Sequence, residues 1–354
     1  MPGASASEAA AESDAAGPDT TVSDTVKPDA PAAGGGAGAR AASDLTVSDG
    51  AKPGASAAGG GAGVAAGAHQ TVSDPTVSDA GLAAIAAKAQ AENFPVALRF
   101  LPRGPREDLG AFYTFARYVD DLGDEYEGDR IAALGSVDED IARLASGATP
   151  RLEPVRGLLG LVGDGRVPTE PFSDLVAANL MDQHKLRYAT FAELVSYCKL
   201  SANPVGRVVL YLAGQATEQN IADSDAVCTG LQVIEHLQDV AEDYRAGRIY
   251  MPREDLTAFG VNESELAAAH ASEDLKALLR WEAGRAAVLL SRGVPLVRRL
   301  RGWARPAVTG YVAGGRATLA ALRKADFDVL AATPHPTKGA TVRAAVGVLA
   351  GRRR

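Results

Sequence analysis

The 354-residue chain is 46% apolar with a formal net charge of −8, enough apolar material for one large domain or two ordinary ones. The charge is unevenly spread: residues 1–80 hold ten carboxylates against three basic groups, so the rest is near neutral and lacks the basic footprint of a nucleic-acid binder. Two cysteines, Cys198 and Cys228, are too few for a disulfide framework or a structural zinc site; no apolar run reaches membrane-spanning length and no signal peptide opens the chain, so a cytoplasmic protein is expected.

Residues 1–80 are Ala, Gly, Ser, Asp, Thr and Pro with almost no large apolar side chain, a composition that cannot offset chain entropy and predicts a disordered tail. Thr21-Val22-Ser23-Asp24 returns at Thr46 and Thr71, a period of 25 residues with too few apolar positions to stack as a solenoid. The folded body is expected over 81–335, followed by a basic tail over 336–354 that ends in three arginines.

Within the body every strong pattern is helical, and no period-2 strand or strand–glycine–helix unit occurs, so the expected class is all-α. Helices are predicted over Leu82–Gln90, Val96–Leu101, Glu107–Glu125, 137–146, Phe172–Tyr188 (with Asp182, Lys185 and Arg187 near its end), Phe191–Leu200 and Val208–Gly214. The last two are separated by a break at Pro204 and Gly206. A long helix over Asp223–Ala246 should stop at Gly247, and others follow over 264–293 and Ala313–Leu330. Between the last two, Arg292–Arg305 sets five arginines among Val, Leu and Trp303, which reads either as a solvated basic face or as a peripheral contact with anionic lipid at the inner membrane face.

Two of these helices carry the chemistry. Phe112–Asp124 places Tyr113, Arg117, Asp120 and Asp124 on one stripe, with Asp121 beside it; the second helix places Glu235, Asp239, Glu242 and Asp243 on another, with Gln232 and Gln238 interleaved. Like charges at this spacing repel unless a cation lies between them, and carboxylate oxygens are the ligands Mg²⁺ prefers when it bridges a protein to substrate phosphates. The expectation is therefore two facing helices that grip a diphosphate through Mg²⁺ (Mn²⁺ being the alternative ion), with Asp120, Asp121, Asp124, Glu235, Asp239 and Asp243 as ligands. Arg117, Arg245 and Arg248 can add charge-assisted hydrogen bonds, and Tyr113 and Tyr250 can donate nearby. His236 reads as a packed helix histidine.

These motifs resemble the squalene and phytoene synthase family. Asp120-Asp121-Leu122-Gly123-Asp124, with Tyr113 and Arg117 upstream, is similar to its first aspartate motif. Asp239-Val240-Ala241-Glu242-Asp243, followed by Gly247-Arg248-Ile249-Tyr250-Met251-Pro252, is similar to the second. Tyr197-Cys198 with Ala202, Val205 and Gly206 resembles the segment lining the substrate tunnel, to which Phe94 adds an aromatic candidate. The resemblance spans roughly 80–335 and implies the all-α isoprenoid synthase fold and an isoprenoid diphosphate substrate. Asn93-Phe94-Pro95-Val96-Ala97 and Glu235-His236-Leu237-Gln238-Asp239 are nearest to the bacterial hydroxysqualene synthase branch of hopanoid biosynthesis. That branch implies ionisation of presqualene diphosphate and capture of the cation by water, without NADPH. Condensing members of the family carry Asn where Glu235 stands and Arg where Gln238 stands, so the site here is expected to be more negative by two charges and less able to hold two diphosphates. The alternatives are a head-to-head condensing synthase (presqualene diphosphate, squalene or phytoene), a chain-elongating prenyltransferase, and a non-catalytic helical lipid-binding or assembly protein.

Overall fold

The computed structural model describes residues 101–352. The expected helices over 82–90 and 96–101, Phe94 and the repeat-bearing segment lie outside the described residues, apart from Leu101 itself. Among the described residues there is no β-strand, only an isolated bridge between Arg187 and Ile249.

Helix α1 (Arg103–Asp124) shows how the pattern becomes architecture. Leu109, Phe112, Phe115, Val119 and Leu122 recur at helical spacing and are buried, leaving Arg117, Asp120, Asp121 and Asp124 on the other side. Phe112 and Phe115 meet Phe172 edge-on at 6.0 and 5.5 Å, joining α1 to α5 (Glu170–Asp182). Helix α2 (Arg130–Ala145) begins seven residues before the sequence pattern suggested, because the Asp129 side chain accepts from the Ala132 N–H and starts it there. Short turns α3 (Glu153–Arg156) and α4 (Leu159–Val162) lead on to α5.

The break expected at Pro204 and Gly206 is present but falls earlier, at Ala202, so that Pro204 and Gly206 both lie inside the next helix. Helix α6 (Phe191–Ser201), capped by Thr190, gives way at Ala202 to α7 (Asn203–Leu212), whose first turn contains Pro204. The long helix expected over 223–246 is two: α8 (Glu218–Gln238), begun by the Thr217 cap, and α9 (Val240–Arg245), with Asp239 at the joint in a non-helical conformation. Gly247, at φ 82°, ends α9 as expected. Helix α8 is the axis of the body and packs against α6, α7, α11 (Glu273–Ser291), α12 (Gly293–Arg299) and α13 (Ala304–Lys324), while α1 and α2 pack on α5. Helix α10 (Arg253–Ala258) and a 3₁₀ turn over Glu263–Ala267 connect α9 to α11.

Two expectations are corrected. Helix α5 stops at Asp182 rather than continuing to Tyr188, because the next residues pair with the strap after α9: the Ile249 N–H donates to Leu186 O at 3.0 Å and the Arg253 N–H to Tyr188 O at 2.9 Å. The segment after Pro336 is not a tail but helix α14 (Lys338–Leu349), started by the Thr337 side chain accepting from the Ala340 N–H and packed on α12 and α13. In the Arg292–Arg305 stretch Val294, Leu296, Val297 and Leu300 are buried in the core, while the five arginines lie at the surface. Among the described residues no helix is long and apolar enough to cross a membrane.

Asp223 fastens this end of the body. It is 1% exposed, and it accepts from Arg292 Nε at 2.6 Å and from the Arg299 guanidinium, tying α8 to α12. Both arginines hold its carboxyl below the ordinary carboxylate range despite burial. Asp223→Ala should therefore cost about 2–3 kcal/mol, the penalty for stranding charged partners beside a buried gap. Urea denaturation checks this, and a cost below about 0.5 kcal/mol would class the pair with ordinary surface ion pairs.

Candidate active site

Most of the carboxylates from both acidic motifs line one polar cavity of about 340 Å³. Asp120 and Asp124 come from α1; Gln232, Glu235, His236, Asp239 and Asp243 come from α8, the joint and α9; Asn179 and Asp182 come from α5; Tyr197 comes from α6, and Arg248 and Tyr250 from the strap. The break at Asp239 keeps the helical hydrogen-bonding run intact, with the Asp239 N–H donating to Glu235 O at 3.0 Å and the Asp243 N–H to Asp239 O at 2.8 Å, so the carboxylate stripe survives the kink.

Close helix approach sets the α1 wall. A Cβ on Gly123 would fall 2.2 Å from Asn179 Oδ1, so only glycine lets α5 come this near. The approach brings Asn179 Nδ2 to donate to Asp120 Oδ1 at 3.2 Å and Gln183 Nε2 to Gly123 O at 3.1 Å. Arg248, carried by the strap, donates to Asp124 Oδ1 at 2.6 Å. On the far side Tyr197 donates to Asp182 Oδ2 at 2.6 Å and Tyr250 to Asp182 Oδ1 at 3.4 Å. The Tyr250 ring stacks on His236 with centroids 3.7 Å apart, and His236 Nδ1 lies 3.8 Å from Asp243 Oδ2.

Several of these groups titrate unusually. Loss of water around the carboxyls of Asp120 and Asp239 pushes both up to about 6, although Asp120 itself still opens to the surface. For Asp239 the neighbouring charges of Glu235, Asp243 and Glu242 push the same way. Burial also raises Asp182, and it raises Tyr197 and Tyr250, so both phenols keep their protons and act as donors. The cavity is thus lined, among the described residues, by six carboxylates and one guanidinium, an anionic site of hard oxygen donors. Among the described residues no three His, Cys, Asp or Glu side chains stand close enough to hold a metal ion unaided. The donor set nevertheless fits Mg²⁺, which keeps part of its shell for water and substrate phosphate.

A second, mostly apolar cavity of about 180 Å³ adjoins the first. Ala202, Val205, Gly206, Val209, Val227, Cys228, Leu231, Leu296 and Val308 supply most of its wall. A Cβ on Gly206 would meet Ser224 Oγ at 2.3 Å and Cys228 Sγ at 2.6 Å, so α7 and α8 touch there through a missing side chain. Ser201, Gln232 and Glu235 line both cavities.

The sequence candidates divide accordingly. Asp120, Asp124, Glu235, Asp239, Asp243, Arg248, Tyr250, Tyr197 and Gln232 meet around the polar cavity, and Ala202, Val205 and Gly206 line the apolar one. Asp121 does not line the cavity; it pairs with Arg117 at 2.9 Å on the flank of α1. Arg117 and Tyr113 are also outside the lining, although the Arg117 charge still acts on Asp120. Arg245 is exposed and away from it. Gln238 points elsewhere, its Nε2 donating to Pro334 O at 2.6 Å, so the expected two-charge difference at the site reduces to the one charge of Glu235. Asn179, Asp182 and Ser201 also line the cavity without standing out as site residues in the sequence, and His236, read there as a packed helix histidine, is buried and lines it too. Asn179 and Asp182 did leave a signal, an i, i+3 polar pair in an otherwise apolar helix end.

The chain matches the squalene/phytoene synthase family model over residues 87–342 and belongs to that family. It is 38% identical over 211 residues to the hydroxysqualene synthase of Rhodopseudomonas palustris, covering 59% of this chain and 72% of that protein. It is 33% identical over 187 residues to the presqualene diphosphate synthase of the same organism, covering 52% and 66%. Among solved structures, a squalene synthase from Alicyclobacillus acidocaldarius superposes with a TM-score of 0.65 at 36% identity, covering 70% of this chain and 94% of that one. The chain is thus an enzyme-family member with an isoprenoid synthase fold.

The raised carboxyls carry a testable sign. A group whose value rises to about 6 in the fold is easier to protonate there than in the unfolded chain, so its ionisation opposes folding above about pH 6. That opposition fades as the pH falls toward the unfolded value near 4. In chelator at pH 7.5, Asp239→Asn should melt about 2–4 °C above the parent, near 1 kcal/mol once solvent screening is allowed for. The gain should shrink at pH 5. Scanning calorimetry reads it, and a lower melting temperature at pH 7.5 would contradict the burial argument.

Proposed function

We propose that the chain converts presqualene diphosphate into hydroxysqualene and diphosphate with Mg²⁺ and without NADPH, as a lyase acting on a carbon–oxygen bond. The observation that carries this reading is that a carboxylate-lined cavity adjoins an apolar one, the two sharing Ser201, Gln232 and Glu235 in their walls. A diphosphate headgroup fits the first and its hydrocarbon the second.

Asp120, Asp124, Asp239 and Asp243 would hold the metal, with Glu235 within the same wall. Mg²⁺, when bound, neutralises the leaving diphosphate. Arg248, now on Asp124, can turn its guanidinium to the diphosphate oxygens and share the charge that develops there. Asp182 holds the Tyr197 and Tyr250 phenols in place, so the aromatic faces of Tyr197, Tyr250 and His236 lie against the region where a carbocation would form. The apolar cavity keeps water away from the rest of the chain.

A condensing synthase is the second reading, since the family contains such enzymes, and the presqualene diphosphate synthase relative is named as one. Glu235 weighs against it: one added negative charge on the wall disfavours a second anionic substrate, by up to roughly 4 kcal/mol for a charge pair about 4 Å apart at an effective dielectric near 20, before screening and bound cations reduce it.

The test is a mass-spectrometric product assay with presqualene diphosphate and, separately, farnesyl diphosphate, each with and without Mg²⁺ and NADPH. Presqualene diphosphate with Mg²⁺ alone should give the alcohol. Asp120→Ala and Asp239→Ala should each lower turnover about 10²–10³-fold, the usual cost of losing one electrostatic stabiliser, with helical content unchanged. Efficient condensation of farnesyl diphosphate, NADPH-dependent squalene as the main product, or full turnover in excess chelator would defeat the reading.

A further inference from the structure

We infer that the neck between the two cavities holds the water that ends the reaction, with Ser201 as the positioning residue and Glu235 as the proton acceptor. This rests on the reaction proposed above. Three residues are common to both cavity walls, Ser201, Gln232 and Glu235, and all three are polar: a hydroxyl, a carboxamide and a carboxylate. A trapped water needs two to four such partners, and the neck supplies three.

Ser201 is the informative member. It is the last residue of α6, just before the Ala202 break. A serine in a helix ordinarily turns its hydroxyl back to the carbonyl four residues earlier. Here Ser201 Oγ is buried and makes no hydrogen bond among the described residues. A buried hydroxyl without a partner is costly and calls for an occupant beside it. Ser224, another hydroxyl on the apolar wall, is instead engaged with Cys228. The orphaned hydroxyl therefore stands at the junction, where a carbon that has just lost its diphosphate to the carboxylate side would be exposed to whatever the neck contains. Gln232 is tethered there, its Nε2 3.4 Å from His236 Nε2.

The step balances without an oxidant or reductant. The carbon–oxygen bond to diphosphate breaks and its electron pair leaves with the diphosphate. The electrons of the cyclopropane then shift toward the ionised carbon, opening the ring and moving the positive charge to another carbon. A lone pair of the held water forms the new carbon–oxygen bond there, and the proton shed by that water passes to the Glu235 carboxylate. When no water is held, the cation discharges by losing a proton from carbon, giving an unsaturated hydrocarbon.

The experiment uses the full-length enzyme with presqualene diphosphate in ¹⁸O-labelled water, reading the ratio of labelled alcohol to unsaturated hydrocarbon together with substrate consumption. Ser201→Val and Ser201→Ala should lower that ratio about tenfold or more while consumption stays within about fivefold of the parent, since ionisation precedes water capture. Ser201→Thr, which keeps the hydroxyl, should stay near the parent ratio. A purely structural role for Ser201 would lower consumption and leave the ratio unchanged, and that result, in either Ser201→Ala or Ser201→Val, overturns the inference. Should the parent itself yield no labelled alcohol, the reaction assignment fails first and the inference falls with it.

Discussion

The constraint on which this structure depends is the mutual repulsion of carboxylates facing a common, partly buried space. Asp120, Asp124, Asp182, Glu235, Asp239 and Asp243 line the cavity, with Arg248 as the only guanidinium among the described residues of the lining. Burial and the like charges of Glu235, Asp243 and Glu242 drive Asp239 toward the protonated form, so the arrangement costs stability and is relieved when positive charge arrives. Such a cost persists only where surrounding packing over-determines it. Here the packing comes from α8, which touches helices on several sides, and from the close α1–α5 approach through Gly123.

The remaining architecture can be read as support for that arrangement. Asp182 is not itself part of either sequence motif, yet it orders two tyrosines from different elements and so sets the aromatic side of the cavity. Tyr188, Tyr197 and Tyr250 lie with ring centroids 5.5 to 5.6 Å apart, and Tyr250 continues the series onto His236. Their hydroxyls stay protonated because burial disfavours the phenolate. One side of the site is thus an array of fixed donors and π faces, and the other an array of acceptors, a division suited to holding a departing anion apart from the cation it leaves.

Much of this was legible in the sequence because helical periodicity and carboxylate spacing are local properties. The i, i+4 relation of Asp120 to Asp124 and of Asp239 to Asp243 needs no tertiary information, and neither does a break near Pro204. What the sequence withheld was long-range. Gln238 and Gln232 look equivalent along the helix, but one bonds to Pro334 across the molecule and the other reaches the cavity. Asp121 and Asp120 are adjacent, and only the packing of α1 assigns one to the Arg117 pair and the other to the cavity. Helix α14 escaped notice because Pro334 and Pro336 read as a terminus, whereas the Thr337 cap that restarts the helix is a one-residue signal.

The strap that follows α9 has a consequence for how the enzyme can vary. Arg248 and Tyr250 reach the cavity because the backbone around them is stitched to residues 186–189 by three backbone hydrogen bonds, to Leu186, Tyr188 and Ala189, and by an Arg187 guanidinium that reaches both Gly247 O and Glu263 at the exposed rim. Arg187 and Glu263 are surface residues that ordinary reasoning would treat as freely exchangeable. In this fold both lie beside the strap that carries a guanidinium and a phenol to the cavity, so a change at either bears on the placement of Arg248 and Tyr250.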